Sequence, residues 1–222
     1  VPGSYPQSDT MKKYFKKVND AQYKIFGNEY VNCNSSRIKI LPIQMGDLNK
    51  CSLSFLNDFL KSDIFIVFGS SYIKGDLVNF LQEKKSINIH MGVSPYYRGT
   101  DCNFWSLYDD NPHLVGSTIH LLSKGLDSGP ILYHAMSKIK KNSFEYSMST
   151  VKSAFNSIIS RINDKTIFEI EPKEQDPSLE IRYTKKIEFN DKVVEDFLLK
   201  EVNLFSKEFD ISLLKEVYFL NN

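Results

Sequence analysis

The alternation of hydrophobic and polar positions along the 222 residues predicts helices and strands in turn, which is typical of an α/β protein. Apolar residues at helical spacing predict two long helices, at about 10–26 and 143–162. Alternating or continuous apolar runs predict strands at 37–43, 63–68, 87–90, 115–122 and 130–139. Shorter helices are predicted between the strands, at about 47–60, 71–80 and 100–109. We therefore expect a Rossmann-like open sheet, mainly parallel, with helices on both faces.

The apolar run at 63–68 predicts where the centre of this sheet lies. It ends at Gly69 and contains almost no polar residue, which is typical of a strand buried on both faces. A doubly wound sheet normally opens with such a strand, yet the residues before the helix at 10–26 are not apolar enough to form one. We therefore expect the first strand to lie outside the 222 residues, or to have been removed or disordered.

The chain length favours one domain with an appendage. We assign residues 1–163 to the α/β domain. Residues 164–222 form a short α-rich C-terminal extension that we expect to pack on the same domain. The first part of that extension, at 169–190, is charged and rich in turn residues, and the rest predicts one or two helices.

Charge and cysteine usage exclude several classes of function. The chain has 28 basic and 27 acidic residues, and segment 140–222 has 13 and 15, so neither predicts a nucleic-acid or membrane surface. No apolar run approaches membrane-spanning length, and no signal peptide is evident. Three cysteines, Cys33, Cys51 and Cys102, have no spacing that indicates a metal site or a disulfide framework. We expect a cytoplasmic protein that needs no metal.

Candidate chemistry lies at the end of the strand at 87–90. Asn88 and His90 are two residues apart, so both side chains project from the same face of the strand. Asp127 follows in a glycine-rich turn. His90 could accept a proton, Asp127 could orient the imidazole, and Asn88 could donate a hydrogen bond to an oxyanion, which together suit acyl transfer to an amine. Taken alone, a single His or Asn at a strand end is more often structural.

Four motifs in a fixed order carry a resemblance to a known family. Asn88-x-His90 is followed by Pro95-x-Tyr97-Arg98-Gly99, then Gly116-x-Thr118-x-His120, then Gly125-x-Asp127-x-Gly129-Pro130. This set resembles the folate-dependent formyltransferases, which transfer a formyl group from N10-formyltetrahydrofolate to a primary amine on a Rossmann-like domain. The resemblance implies that Asn88, His90 and Asp127 are the catalytic residues and that N10-formyltetrahydrofolate is the co-substrate.

The same resemblance implies which residues bind the two substrates. Residues of two turns would line the pterin pocket: Ser71, Tyr72, Ile73, Gly125 and Leu126. Tyr97, Arg98 and Trp105 would contact the acceptor. Other interpretations stay open, because Gly-Ser-Ser is also an ordinary loop, Arg98 could hold its own loop through backbone carbonyls, and Trp105 could belong to the core. His120 is expected near the active centre in a structural role.

The loop after His90 indicates which class of acceptor the protein uses. With its continuation into Asn103-Phe104-Trp105, it resembles the sugar N-formyltransferases, which act on dTDP- or UDP-linked amino sugars of surface polysaccharides such as the lipopolysaccharide O-antigen. Alternatives are a glycinamide ribonucleotide formyltransferase, a formyltetrahydrofolate hydrolase and a folate-binding protein without turnover. The expected partner is a nucleotide-linked amino sugar, with no nucleic acid and no membrane. Whether the protein forms a homodimer stays open.

Overall fold

The computed structural model describes residues 8–27, 36–200 and 202–204, together with the backbone of 219–221. It contains these helices: α1 Asp9–Phe26, α2 Leu53–Leu56, α3 Gly75–Glu83, α4 Cys102–Tyr108, α5 Ser143–Asn163 and α6 Asp191–Leu199. The strands are β1 Ile66–Phe68, β2 Ile87–His90, β3 Tyr97–Gly99, β4 Ser117–Leu121, β5 Ile131–Ser137, β6 Arg182–Thr184 and β7 Phe219–Asn221. Five short 3₁₀ turns occur among the described residues, in four of the connections.

Local capping explains where the two long helices begin. The Ser8 hydroxyl accepts a hydrogen bond from the Met11 amide, and the chain leaves α1 at Gly27, which has a positive φ of 73°. The Asn142 side chain accepts hydrogen bonds from the amides of Phe144 and Glu145 at the start of α5. Both helices confirm the sequence prediction to within one residue at either end.

The five-stranded sheet has the order β1-β2-β4-β5-β7. The outer pairs β1-β2 and β5-β7 are parallel, whereas β4 runs antiparallel to both of its neighbours. The sheet is therefore mixed, and it is less parallel than the sequence predicted. Helices cover both faces: Ala154 and Ile158 of α5 pack on one face, and α3 belongs to a separate apolar cluster on the other side. The Rossmann-like α/β prediction is confirmed.

Two predictions about the N-terminal half of the sheet are wrong. The strand predicted at the centre is β1, which lies at the edge of the described sheet and leaves Ile66 and Phe68 45% and 43% exposed. Residues 37–43 form no strand, since no described strand lies beside them to accept their hydrogen bonds. The helix predicted at 47–60 is reduced to a 3₁₀ turn at Asp47–Lys50 and the single turn of α2.

The C-terminal segment contacts the α/β part at two places. Strand β6, which the sequence did not predict, pairs in parallel with β3. Val194 and Phe197 of α6 join the buried cluster that contains Phe104 and Trp105. The domain boundary at residue 163 coincides with the end of α5 and stays a prediction. Cys33 and most of the helical region predicted after α6 lie outside the described residues.

Candidate active site

The register between β2 and β4 assembles the first part of the site. Asn88 pairs with His120 and His90 pairs with Thr118, so the polar face of β2 lies beside the polar face of β4. Ile87 and Ile89 point the other way, into the cluster under α5. The period-2 pattern of Ile87-Asn88-Ile89-His90 therefore separates core side chains from site side chains.

Asn88, His90 and Asp127 meet at this point. The Asn88 side-chain nitrogen lies 3.3 Å from Oδ1 of Asp127, and Nδ1 of His90 lies 3.4 Å from Oδ2 of the same carboxylate. His90 is only 6% exposed, whereas Asp127 is partly open to solvent. One carboxylate thus contacts both the carboxamide and the imidazole.

The His90 ring has an acceptor at each nitrogen. Its Nε2 lies 3.2 Å from the backbone carbonyl of Tyr97, and its Nδ1 faces Asp127. A neutral imidazole has one N–H and can satisfy only one of these acceptors, whereas the imidazolium can satisfy both. With the Nδ1 proton directed at Asp127, Nε2 is the nitrogen that can take up a proton.

His120 fixes the orientation of Asn88. The Asn88 nitrogen donates to Nε2 of His120 at 2.9 Å, and Nδ1 of His120 donates to the Leu121 carbonyl at 2.8 Å. These two contacts require the neutral tautomer with its proton on Nδ1. Burial lowers the pKa of His120 to about 4, so the ring is neutral at physiological pH. Both amide hydrogens of Asn88 have protein acceptors here, so donation to a substrate oxygen requires that one contact be exchanged.

Long-range contacts hold the Asp127 turn in place. Asp127 has a φ of 47°, in the left-handed region that few residues other than glycine adopt. The Gln175 side chain donates to the carbonyls of Asp127 and Gly129, at 2.9 and 2.8 Å. A Cβ on Gly129 would lie 1.8 Å from the Leu121 carbonyl oxygen, so only glycine lets the turn approach β4 this closely.

Hydrogen bonds of Thr118 connect the loop after His90 to β4. The Thr118 hydroxyl donates to the Gly92 carbonyl at 2.6 Å and accepts from the Ser94 amide at 2.8 Å. A Cβ on Gly92 would lie 2.7 Å from Nε2 of His90 and 2.5 Å from Cβ of Cys102. The glycine therefore leaves the space that the His90 ring occupies against the Tyr97 carbonyl.

A cavity of about 340 Å³ opens beside the three polar side chains. Asn88, His90 and Asp127 line it together with all of the residues predicted to bind the pterin: Ser71, Tyr72, Ile73, Gly125 and Leu126. The Tyr72 hydroxyl donates to the Lys124 carbonyl, which joins the two turns, and Asn49 accepts from the Lys74 amide and donates to the Tyr72 carbonyl. The cavity is in the size range of small-molecule sites.

The structure corrects the predicted acceptor contacts of Tyr97 and Trp105. Trp105 is 2% exposed, lies in the core and stacks under the Arg182 guanidinium at 4.0 Å. The Tyr97 side chain is 1% exposed, and its hydroxyl accepts from the Asn111 side chain at 2.7 Å. Neither side chain lines the cavity, because both belong to a buried cluster that packs α4. Tyr97 contributes its backbone carbonyl to the site instead.

Arg98 holds the loops of the site together. Its guanidinium donates to Oε2 of Glu180 at 3.0 Å and to the carbonyl of Leu126 at 3.2 Å. These contacts are those expected for the alternative, loop-holding role, and the acceptor contact of Arg98 stays a prediction. Gln175 and Glu180 were not predicted as site residues, since no local signal marks a residue that reaches a turn almost 50 positions away.

Two further searches of the described residues give negative results. No group of three or more His, Cys, Asp or Glu side chains there is arranged to hold a metal ion. No helix within the described ranges is long and apolar enough to cross a bilayer.

Comparison with known proteins shows what part of the chain is similar to a known family. Residues 58–160 match the sequence model described as formyl transferase. A methionyl-tRNA formyltransferase from Trichodesmium erythraeum is 28% identical over 124 residues, which cover 54% of this chain and 36% of the relative. The chain thus spans little more than a third of the curated relatives it matches.

Solved structures share the fold. A 4-N formyltransferase from Francisella tularensis matches with a TM-score of 0.53 and 21% identity, over 78% of this chain and 74% of that one. A sugar N-formyltransferase from a Shewanella species matches with a TM-score of 0.53 and 16% identity, over 82% and 75%. At these identities the likeness concerns the fold. The sequence match places Asn88, His90 and Asp127 within residues 58–160, the segment that is similar to the formyl transferase family.

Proposed function

We propose that this protein transfers a formyl group from N10-formyltetrahydrofolate to the primary amine of a nucleotide-linked amino sugar. The observation that carries the proposal is the meeting of Asn88, His90 and Asp127 at one cavity, with Asp127 3.3 Å from the Asn88 nitrogen and 3.4 Å from the His90 ring. These are the three side chains that the family resemblance implies for formyl transfer.

The donor fits the walls of this cavity. Val67, Ile73, Leu122 and Leu126 provide apolar surface for a flat heterocycle, and the turns that carry them provide backbone donors and acceptors. The formyl group on N10 would then lie at the polar end, beside Asn88 and His90. The donor assignment therefore depends on the cavity and on the family match together.

The reaction balances without a further reactant. The lone pair of the neutral amine attacks the formyl carbon, which forms the new C–N bond and places negative charge on the formyl oxygen. The attacking nitrogen loses a proton to Nε2 of His90, either directly or through water. Collapse of the intermediate breaks the bond between carbon and N10, and the proton is delivered to N10, which gives tetrahydrofolate and the formamide.

Each residue has a separate role in that sequence. Asn88 donates a hydrogen bond to the oxyanion, an interaction typically worth about 3 to 4 kcal/mol of the barrier. Asp127 and the Tyr97 carbonyl give the imidazolium of His90 an acceptor at each nitrogen. His120 holds the Asn88 carboxamide in a single orientation.

The sugar acceptor is supported by the loop that resembles the sugar N-formyltransferases, and by charge. The described residues lining the cavity include no lysine or arginine, and segment 140–222 has a slight acidic excess. A tRNA acceptor requires clustered cations for its phosphates. A product of this reaction would serve the synthesis of a surface polysaccharide such as an O-antigen.

Formylation of methionyl-tRNA is the second candidate, because the curated relatives have that name. Formylation of glycinamide ribonucleotide and hydrolysis of the donor use the same donor chemistry. These candidates differ only in the nucleophile, so a direct comparison of acceptors separates them.

The test is a mass-spectrometric assay with N10-formyltetrahydrofolate and a panel of acceptors. The panel contains dTDP- and UDP-linked 3-amino and 4-amino sugars, glycinamide ribonucleotide, methionyl-tRNA and water alone. We expect one added formyl mass on a nucleotide sugar, and we expect His90→Ala to reduce that rate by about 100-fold or more.

The control variant is His113→Ala, which changes another histidine that does not line the cavity. Formylation of methionyl-tRNA or of glycinamide ribonucleotide would show that this molecule, and not a nucleotide sugar, is the acceptor. Formate release without an acceptor would identify a hydrolase. Tight binding of tetrahydrofolate without any product would identify a binding protein.

A further inference from the structure

A second cavity lies next to the first. It has a volume of about 260 Å³ and lies between α1, α4, α5 and α6. Its walls are largely aromatic and aliphatic: Tyr14, Val18, Phe104, Phe144, Met148 and Phe197. Polar atoms come from Asp101, Asn103, Ser143 and Ser147. Such a mixture of ring faces and hydroxyl or carboxylate groups suits a small, partly apolar, hydroxylated ligand.

The two cavities meet beside the reacting groups. Met91 and Asp101 line both of them, and Met91 directly follows His90. A ligand in the second cavity therefore has its end at the junction close to the position of the formyl group. The donor occupies the first cavity in the proposed function, so the second is the space left for the acceptor.

Charge at the junction restricts which end of the acceptor can lie there. Among the described residues that line either cavity there is no lysine or arginine, whereas Asp101 and Asp127 are both carboxylates. A phosphate that lay between these two carboxylates would be repelled by both of them. An ammonium group would be attracted to them.

The carboxylate of Asp101 does not cap helix α4, although the residue directly precedes that helix. It stands immediately before α4 with a φ of 57°, and its side chain makes no capping hydrogen bond to that helix. The residue is exposed, although its neighbours Cys102 and Asn103 are buried.

We infer that the cavity between α1 and α5 binds the sugar ring of the acceptor, and that Asp101 binds its ammonium group before transfer. The ammonium releases one proton to solvent at the exposed Asp101, and the neutral amine then attacks the formyl carbon. This inference rests on the proposed function and deepens it. The ring packs on the aromatic wall, the nitrogen reaches the junction at Met91, and the phosphates lie outside both cavities. Asp101 is therefore an acceptor-binding residue that distinguishes an amine from a hydroxyl.

The first test compares an amino sugar with its hydroxyl analogue. We would measure the binding of a dTDP-linked 4-amino-4,6-dideoxy sugar and of the 4-hydroxy analogue by calorimetry, in the presence of tetrahydrofolate. The wild type should prefer the amine by about 10- to 100-fold, the range expected for a hydrogen bond to a charged group. Asp101→Asn should abolish most of that preference, with donor affinity unchanged.

Asp110→Asn is the matched control. Asp110 is also an aspartate with a left-handed backbone, at a φ of 58°, but it pairs with Lys200 at the surface and lines neither cavity. Asparagine tolerates this backbone region, so both variants keep the fold. The control should keep the amine preference of the wild type.

The second test fills the cavity. Val18→Phe should raise the KM for the acceptor at least tenfold and leave the KM for N10-formyltetrahydrofolate within twofold. Lys16→Phe, on the exposed side of the same helix, should change neither constant. An equal change in both constants, or none, for Val18→Phe would contradict the assignment of the cavity.

The outcomes separate this inference from the proposed function. In one outcome, the wild type formylates no sugar but binds the amine better than the hydroxyl analogue, and Asp101→Asn loses this preference. That outcome supports the sugar-binding site and contradicts the proposed reaction. If sugars are formylated and Asp101→Asn keeps the preference, the reaction stands and this inference is wrong. If neither sugar binds, the inference is wrong as well.

Discussion

Asn88 and His120 lie directly opposite each other on antiparallel strands, and the Asn88 side-chain nitrogen donates to Nε2 of His120 at 2.9 Å. His120 in turn donates to the Leu121 carbonyl, so its accepting nitrogen can only face Asn88. The contact prevents the carboxamide from turning its oxygen towards Asp127. A buried ring on β4 thereby selects the orientation of a group on β2.

His120→Phe should lower kcat about 10- to 100-fold, because the Asn88 amide loses the acceptor that orients it. His120→Gln retains an acceptor and should keep a substantially higher rate. Steady-state kcat and KM, measured with the acceptor that the panel assay identifies, would show both effects. Equal rates for His120→Phe and the wild type would show that His120 does not act through Asn88.

Stability should fall between about pH 6.5 and pH 4 because of His120. Burial lowers its pKa to about 4 from an ordinary value near 6.5, so in this window the unfolded chain binds a proton that the folded chain does not. The loss is fully present below pH 4 and amounts to at most about 3 kcal/mol. Urea unfolding of wild type and His120→Gln across this range should give a shallower decline for the variant.

Gly92→Ala should reduce kcat by displacing the His90 ring, since the new methyl group would lie 2.7 Å from Nε2. We expect a loss of about tenfold or more, with the KM for the folate donor little changed. In a His90→Ala background the same substitution should have almost no further effect on the rate. Independent, additive effects would instead mean that Gly92 supports the fold rather than His90.

Gly129→Ala should destabilise the protein by about 2 kcal/mol or more, because its methyl group would meet the Leu121 backbone oxygen at 1.8 Å. Gly125→Ala is the matched control in the same turn. Its methyl group would meet the side chain of Ser128, with Oγ at 2.1 Å and Cβ at 3.2 Å, and the Ser128 hydroxyl can rotate away. Denaturation midpoints of the two variants should differ accordingly, and equal midpoints would contradict the close approach of the turn.

Local sequence was enough for some elements and misleading for others. The caps and periodicity of α1 and α5 depend on residues a few positions apart, and both helices were predicted almost to the residue. The apolar run that contains β1 was predicted at the sheet centre, yet it lies at the edge of the described sheet. An apolar run indicates that a strand is partly buried, but it does not indicate whether the strand pairs with one neighbouring strand or with two.

In the candidate site, too, some residues could be predicted from the sequence and others could not. The spacing of Asn88 and His90 and the turn at Asp127 indicated the central residues, and all five predicted pterin-pocket residues line the cavity beside them. Arg98, Tyr97 and Trp105 were predicted to contact the acceptor. In the structure they hold a loop, present a carbonyl to His90 and fill the core, respectively. A polar or aromatic side chain has the same signature in sequence for each of these roles.

The sequence by itself determined the α/β class, the side of β2 on which the polar groups project, and the family resemblance, because these depend on period and on ordered motifs. Tertiary structure alone decided that His120 orients Asn88, that Gln175 and Arg98 hold the Asp127 turn, and that a second cavity opens at Asp101. The hydrogen bonds among them join residues up to 48 positions apart, and the walls of the second cavity bring together residues as distant as Tyr14 and Phe197. No local pattern encodes them, since each depends on where the rest of the fold places its partner.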